Sequence, residues 1–178
     1  MGVILLSGAG RFHMLETARC RLVDISEQDC GHVKQLYSNK EVRKFLGGPI
    51  QEASIKNSFA KMLTSNTSDV HLTVKEKNTD QFIGLISLDM HHDGISTEVS
   101  YQFLPFWWGK GIAREVVAKL IDYAFNEMQI SQLVAETQAA NQRSCALLES
   151  VGMQVKETVF RFGKEQFIYC LNNKKLLK

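Results

Sequence analysis

The chain has 178 residues, 44% hydrophobic and 22% charged, with a formal net charge of +2, which predicts one globular domain able to bury its own core. No basic stripe runs through it, so a nucleic-acid binder is excluded, and the Lys174, Lys175, Lys178 tail reads as a solvated end. Cys20, Cys30, Cys145 and Cys170 stand far apart with no CxxC pair and no histidine at ligand spacing. Neither a metal site nor a disulfide framework is expected, and reduced thiols in a cytoplasm fit best.

Residues 1–13, with Gly2, Gly8 and Gly10, show no clear period and read as an N-terminal extension; the domain proper is expected over residues 14–178. The apolar run Val3 to Leu6 is too short for a signal peptide or a membrane span, so neither export nor a membrane partner is expected. A strand is predicted from Thr17 to Ile25. Ser26 followed three residues later by Asp29 resembles a helix cap, and the helix it starts runs to about Tyr37, burying Val33, Leu36 and Tyr37. Asn39 can cap a second short helix. Gly47-Gly48-Pro49 then breaks the chain before Ile55, Phe59, Met62 and Leu63 recur at helical spacing.

Val70, Leu72 and Val74 alternate with polar residues, Asn78-Thr79-Asp80 turns, and Phe82 to Met90 form a second strand of a meander. His91-His92-Asp93-Gly94 turns again, with both histidines expected in water. The third strand runs from Ile95 to Leu104, where Pro105 forbids further ladder bonding. Ile112, Ala113, Val116, Val117, Leu120, Ile121, Ala124 and Phe125 make one face of the longest helix. Leu133 to Thr137 reads as a strand, Asn141 caps a helix carrying Leu147, Leu148 and Val151, and Gly152 ends it. Val155 to Phe160 and Gln166 to Leu171 close as a hairpin across Gly163.

The segment Trp107-Trp108-Gly109-Lys110-Gly111-Ile112-Ala113-Arg114 joins the end of that third strand to the first turn of the long helix. Free amides there point at one spot, small residues admit a diphosphate to the main chain, and the helix N-terminus favours negative charge. Lys110 and Arg114 can add charge-assisted contacts. The bland alternative is a tight turn with close helix packing. A Walker loop needs Ser or Thr after Gly109-Lys110 and finds Gly111; the Rossmann fingerprint needs a third small residue where Arg114 stands. An antiparallel meander leading into the glycines also argues against a Rossmann fold.

The order of elements, together with Glu98-Val99-Ser100-Tyr101 and Phe103, Trp108 to Ala113, Asn141-Gln142-Arg143-Ser144, Leu147-Leu148-Glu149 and Gly152-Met153, resembles the GNAT superfamily of N-acetyltransferases. Within it the RimJ/RimL type of ribosomal-protein N-terminal acetyltransferases is nearest, over about residues 15–171. Trp108 stands where the superfamily loop usually has Gln or Arg, a tryptophan familiar in that branch. The resemblance implies an α/β (α+β) fold with a mixed, mostly antiparallel sheet of about seven strands and about four helices, splayed between strands four and five. It also implies that amides from Gly109 through Lys110, Gly111, Ile112 and Ala113 to Arg114 hold the pyrophosphate of acetyl-CoA. The pantetheine arm pairs with the opened strand edges as an added strand, and an amide near Phe103 or Leu104 faces the thioester oxygen. Asn141 resembles the family's cofactor-contacting asparagine, with a plain helix cap as the alternative. A homodimer is a reasonable default.

An amine is mostly ammonium at neutral pH, so a base is needed. Glu98 matches the place of the family's catalytic carboxylate, acting directly or through water, against the bland reading of an exposed strand carboxylate. Ser144 aligns with the serine that protonates the departing thiolate, against an ordinary first-turn serine. Cys145 offers a covalent route in chemical principle, against a small buried residue. Tyr101, Phe106 and Trp107 can line the acceptor or pantetheine side, or simply fill core. The expected function is acetyl transfer to a peptide N-terminal amine, the alternatives being a polyamine, amino sugar or antibiotic acceptor, or an idle CoA-binding module.

Overall fold

The computed structural model describes residues 14–64 and 69–176; the extension expected over residues 1–13 lies outside them. Ser26 opens the first helical segment as its cap pattern predicts: its amide and its hydroxyl both donate to Asp29 Oδ2 at 2.9 Å. A 3-10 turn over Glu27–Asp29 continues into α1 (Cys30–Tyr37), which buries Val33, Leu36 and Tyr37. The second short helix expected after Asn39 is not formed. Asn39 Oδ1 instead accepts the amides of Glu41 and Val42, and the turns that follow run into Gly47 and Gly48, both left-handed at φ +83 and +84. Beyond them α2 (Glu52–Leu63) buries Ile55 and Phe59.

The single strand expected from Thr17 to Ile25 is a hairpin, β1 (Met14–Glu16) and β2 (Cys20–Asp24). Thr17 Oγ1 accepts the Cys20 amide at 2.9 Å and so turns the chain. With β3 (Val70–Glu76), β4 (Phe82–Met90), β5 (Thr97–Phe103), β6 (Gln132–Gln138), β7 (Gln154–Arg161) and β8 (Lys164–Asn172), the described residues form one eight-stranded sheet, ordered β1-β2-β3-β4-β5-β6-β8-β7. Every pairing is antiparallel except β5 with β6. The β1 hairpin accounts for the strand beyond the expected seven.

Two helical layers cover the sheet. Val33, Leu36, Tyr37, Ile55 and Phe59 of α1 and α2 pack on Phe82 and Leu85 of β4. On the opposite face, α3 (Ile112–Asn126) and α4 (Gln142–Ser150) contribute Val116, Val117, Leu120 and Leu148, which pack with Ile86, Val99, Phe103, Leu133 and Tyr169. Alternation along β5 follows from this. Val99, Tyr101 and Phe103 face α3 and α4, while Gln102, opposite Leu85, lies with Ser100 and Glu98 toward α1 and α2.

Among the described residues no helix is long and apolar enough to cross a membrane, and no three His, Cys, Asp or Glu residues are placed to hold a metal ion.

Candidate active site

The parallel pair β5 and β6 meets only at Thr97↔Leu133 and Glu98↔Val134, although each strand is seven residues long. Beyond Glu98 the strands part, leaving a wedge with exposed main-chain edges. The alternation of antiparallel bonding decides which amides face it. Leu104 donates its amide to Ile83 O at 2.9 Å and accepts the Trp107 amide at 3.0 Å, so the expectation of a free Leu104 amide is corrected. Phe103, one residue earlier, turns its amide away from β4 and toward the wedge. Its carbonyl takes Trp108 Nε1 at 2.7 Å, which fixes the indole at the mouth.

The glycine loop follows directly. Gly109 and Gly111 both sit at φ near +74, the left-handed region that glycine enters without steric cost, and Gly111 is the N-cap of α3. No side chain caps that helix, so the amides of its first turn carry no side-chain acceptor. Both glycines and Lys110 are exposed, and a Cβ at Gly109 would meet open space. Uncapped amides in an open, left-handed loop fit a diphosphate. Lys110 Nζ lies 3.6 Å from the Phe106 ring centre, and Arg114 Nε donates to Ser150 O at 3.3 Å. Sequence reasoning missed Arg19, whose Nη1 donates to Lys110 O at 2.9 Å while Nε pairs with Glu115 at 2.8 Å, bracing the loop from the turn between β1 and β2. Nothing local signals a contact across 91 residues.

On the α1/α2 face, Glu98 stands opposite Asp89 and accepts the Glu136 amide at 3.2 Å. Burial pushes its carboxyl up to about 7, and the neighbouring Asp89 and Glu136 carboxylates act the same way, against the Glu136 amide and His91, which lower it. Burial also raises Asp89, which accepts the Ser87 hydroxyl at 3.0 Å. His91, expected in water, is only 3% exposed. Its Nε2 meets Glu136 Oε2 at 3.0 Å and its Nδ1 meets Asp93 at 3.2 Å, while Arg161 Nη1 reaches the same Glu136 oxygen at 2.6 Å. His92 is exposed as expected. A cleft with apolar walls of Ile25, Met62, Leu72 and Leu85, to which His71, Ser87, Ser100 and Gln102 add polar groups, opens on the same face.

Across the sheet, Asn141 caps α4 by accepting the Ser144 amide at 3.4 Å, and Ser144 Oγ lies 2.8 Å from the Tyr101 hydroxyl. Ser144 is therefore held from α4 and from β5 at once. Cys145 turns inward and is 6% exposed, packed in the core with Leu148 and Tyr169, so the covalent alternative lacks an accessible thiol. Glu98, Phe103 and Ser144 thus surround one wedge, with the glycine loop at the end of its β5 wall.

A splayed mixed sheet with an uncapped, glycine-lined helix start beside the splay offers a place for a diphosphate-bearing ligand with an extended arm. The profile of the acetyltransferase (GNAT) domain matches residues 19–154, and the chain belongs to that family of N-acetyltransferases, which use acetyl-CoA as donor. It is 31% identical over 166 residues to the uncharacterized N-acetyltransferase YoaA of Bacillus subtilis (strain 168), covering 89% of each chain. Among solved structures, the ribosomal-protein-S5-alanine acetyltransferase from Vibrio fischeri superposes with a TM-score of 0.78 at 15% identity, over 93% of this chain and 100% of that one. The spermidine N-acetyltransferase from Vibrio cholerae, in complex with CoA and spermine, gives 0.77 at 17%, over 89% and 98%. These two likenesses concern the fold.

Proposed function

We propose that the protein acetylates the N-terminal α-amine of a peptide or protein, by direct attack within a ternary complex with acetyl-CoA. The observation that carries this choice of acceptor is the Glu98 carboxyl at about 7. A base works best when its pKa approaches that of the proton it removes. An α-amine, with pKa of about 7.7–8.0, lies roughly one pH unit above Glu98, whereas a side-chain or polyamine-type amine near 10.4 lies more than three above. At about 1.4 kcal/mol per pH unit, the second transfer would cost about 3.5 kcal/mol more.

Acetyl-CoA, when bound, supplies an activated acetyl thioester. The amides of residues 109–114 and Asn141 would hold it, Trp108 borders the wedge mouth, and the Phe103 amide, turned toward the wedge, would supply a donor for negative charge on the thioester oxygen. Five residue steps along β5 separate Glu98 from Phe103, a span of about 17 Å. Glu98 therefore accepts the amine proton through water, along the face that carries Ser87 and Ser100. Ser144, on the opposite face, meets the departing sulfur. The acceptor thus enters from the α1/α2 side, and the departing thiolate meets a hydroxyl donor from the α3/α4 side.

A small-amine acceptor is the second reading, supported by the cleft under α1 and α2, whose mixed lining of apolar side chains with His71, Ser87, Ser100 and Gln102 suits a compact amine with an apolar part. Competition decides between them. With acetyl-CoA fixed, an alanine-initiated tetrapeptide, spermidine and glucosamine are compared by kcat/KM at pH 7.5. The peptide should lead by about tenfold or more; a lead for spermidine or glucosamine overturns the proposed acceptor.

A further inference from the structure

The 2.8 Å contact between Tyr101 and Ser144 joins the two sides of the wedge, one partner on β5 and the other on the helix that follows β6. Ser144 is already fixed by its amide, which donates to Asn141 Oδ1. Its hydroxyl can rotate, and a rotating hydroxyl is a poor fixed donor. We propose that Tyr101 is a positioning residue that donates its phenolic hydrogen to Ser144 Oγ, leaving the serine's own hydrogen as the one aimed at the coenzyme A sulfur. This rests on the acetyltransferase reading above and on Ser144 meeting the sulfur.

Burial bears on the direction of the bond, and two further observations bear on its place beside the sulfur. Burial pushes the Tyr101 hydroxyl up to about 12, so it keeps its proton and acts as a donor rather than as a relay that empties itself. The Tyr101 ring stacks on Phe103 at a centroid distance of 5.8 Å and an interplanar angle of 16°, which fixes where the hydroxyl stands. Phe103 is also the residue whose amide faces the wedge, so one short stretch of β5 sets both groups that meet the thioester. Finally, Ser144 occupies the first turn of α4, whose positive end favours a sulfur that is gaining negative charge. As the carbon–sulfur bond breaks, its electron pair stays on sulfur. Two hydroxyls in series, Tyr101 to Ser144 to sulfur, stabilise that charge better than one free rotor.

The binding test uses CoA and acetyl-CoA with the wild type, Tyr101→Phe and Ser144→Ala. A thiol ionises near pH 8.5, so a site that donates to sulfur binds CoA progressively better than acetyl-CoA as pH rises from 7 to 9.5. Acetyl-CoA, which has no ionisable sulfur, corrects for any influence of the charged and ionisable groups around α4, namely Cys145, Tyr169, Glu149 and Arg143. The CoA to acetyl-CoA affinity ratio should rise about three- to tenfold in the wild type, the reach of one net hydrogen bond, and stay nearly flat in Tyr101→Phe and Ser144→Ala. In turnover with the fastest acceptor of the panel above, Tyr101→Phe should lower kcat about three- to tenfold at unchanged KM for acetyl-CoA. It should add almost nothing in a Ser144→Ala background. A Tyr101→Phe ratio that rises like the wild type's, or effects that simply add, would overturn the positioning role. A wild type that binds no acetyl-CoA, or that binds it and acetylates no amine, would instead overturn the underlying acetyltransferase reading.

Discussion

Replacing Glu98 by glutamine should make the protein more stable and less active at the same pH. The folded carboxyl sits at about 7 against an ordinary 4.5, so folding favours its protonated form. Its contribution to stability is complete below about pH 4.5 and is lost as pH rises through 7, because the folded state then holds a proton that the unfolded state has released. At about 1.4 kcal/mol per tenfold, the ionised group costs about 3 kcal/mol at pH 8. Glutamine keeps the oxygen that accepts the Glu136 amide. Its unpaired amide nitrogen returns about 1 kcal/mol, leaving a net gain near 2 kcal/mol, or roughly 4–8 °C in Tm for a chain of this size. Thermal unfolding from pH 4.5 to 8.5 measures it, and the gap should close on acidification and reverse to about 1 kcal/mol in favour of the wild type at the acid end. Over the same range the acetylation rate should fall about 10²- to 10⁴-fold at neutral pH and lose the limb centred near 7. Acetyl-CoA affinity should not change. A variant less stable than wild type at pH 8, by an amount independent of pH, would refute the reasoning and make Glu98 a structural carboxylate.

Acetyl-CoA at about 100 times its Kd should stabilise the fold by about 2.7 kcal/mol, a rise in Tm of roughly 5–10 °C; no shift at millimolar acetyl-CoA would remove the basis for the loop assignment. Gly111→Val forces a branched side chain into φ +74, costing about 1–2 kcal/mol of stability, and should lower acetyl-CoA affinity by more than tenfold in calorimetry. Unchanged affinity would reduce the loop to a turn. Arg19→Ala removes the brace on Lys110 O and the Glu115 pair; because the pair is exposed, stability should fall by less than about 1 kcal/mol while acetyl-CoA affinity falls about three- to tenfold. Equal losses of both, read by unfolding and calorimetry, would contradict a specific role in shaping the loop.

Signals confined to a few neighbouring residues determined much of this protein. The i, i+3, i+4 spacing from Ile112 to Phe125 fixes α3 and its buried face, Ser26 with Asp29 fixes the entry to α1, and two glycines before Ile112 mark an open helix start. Such features are local because dihedral preference and side-chain period act over a turn or a strand. Contacts between segments far apart in sequence leave no such trace, and these only the tertiary structure decided. Which amide of Phe103 and Leu104 is free depends on the register of β5 against β4, and a shift of one residue would exchange them. Asn39 reads equally as a cap and as a turn former, and the structure uses the turn. His91 looks like a surface turn residue until β6 and β7 bring Glu136 and Arg161 against it. Tyr101 looks like core filling until α4 places Ser144 at its hydroxyl, 43 residues away. The chemistry of the wedge lies in such pairs, because a partner's charge and hydrogen-bonding groups act through space and not along the chain.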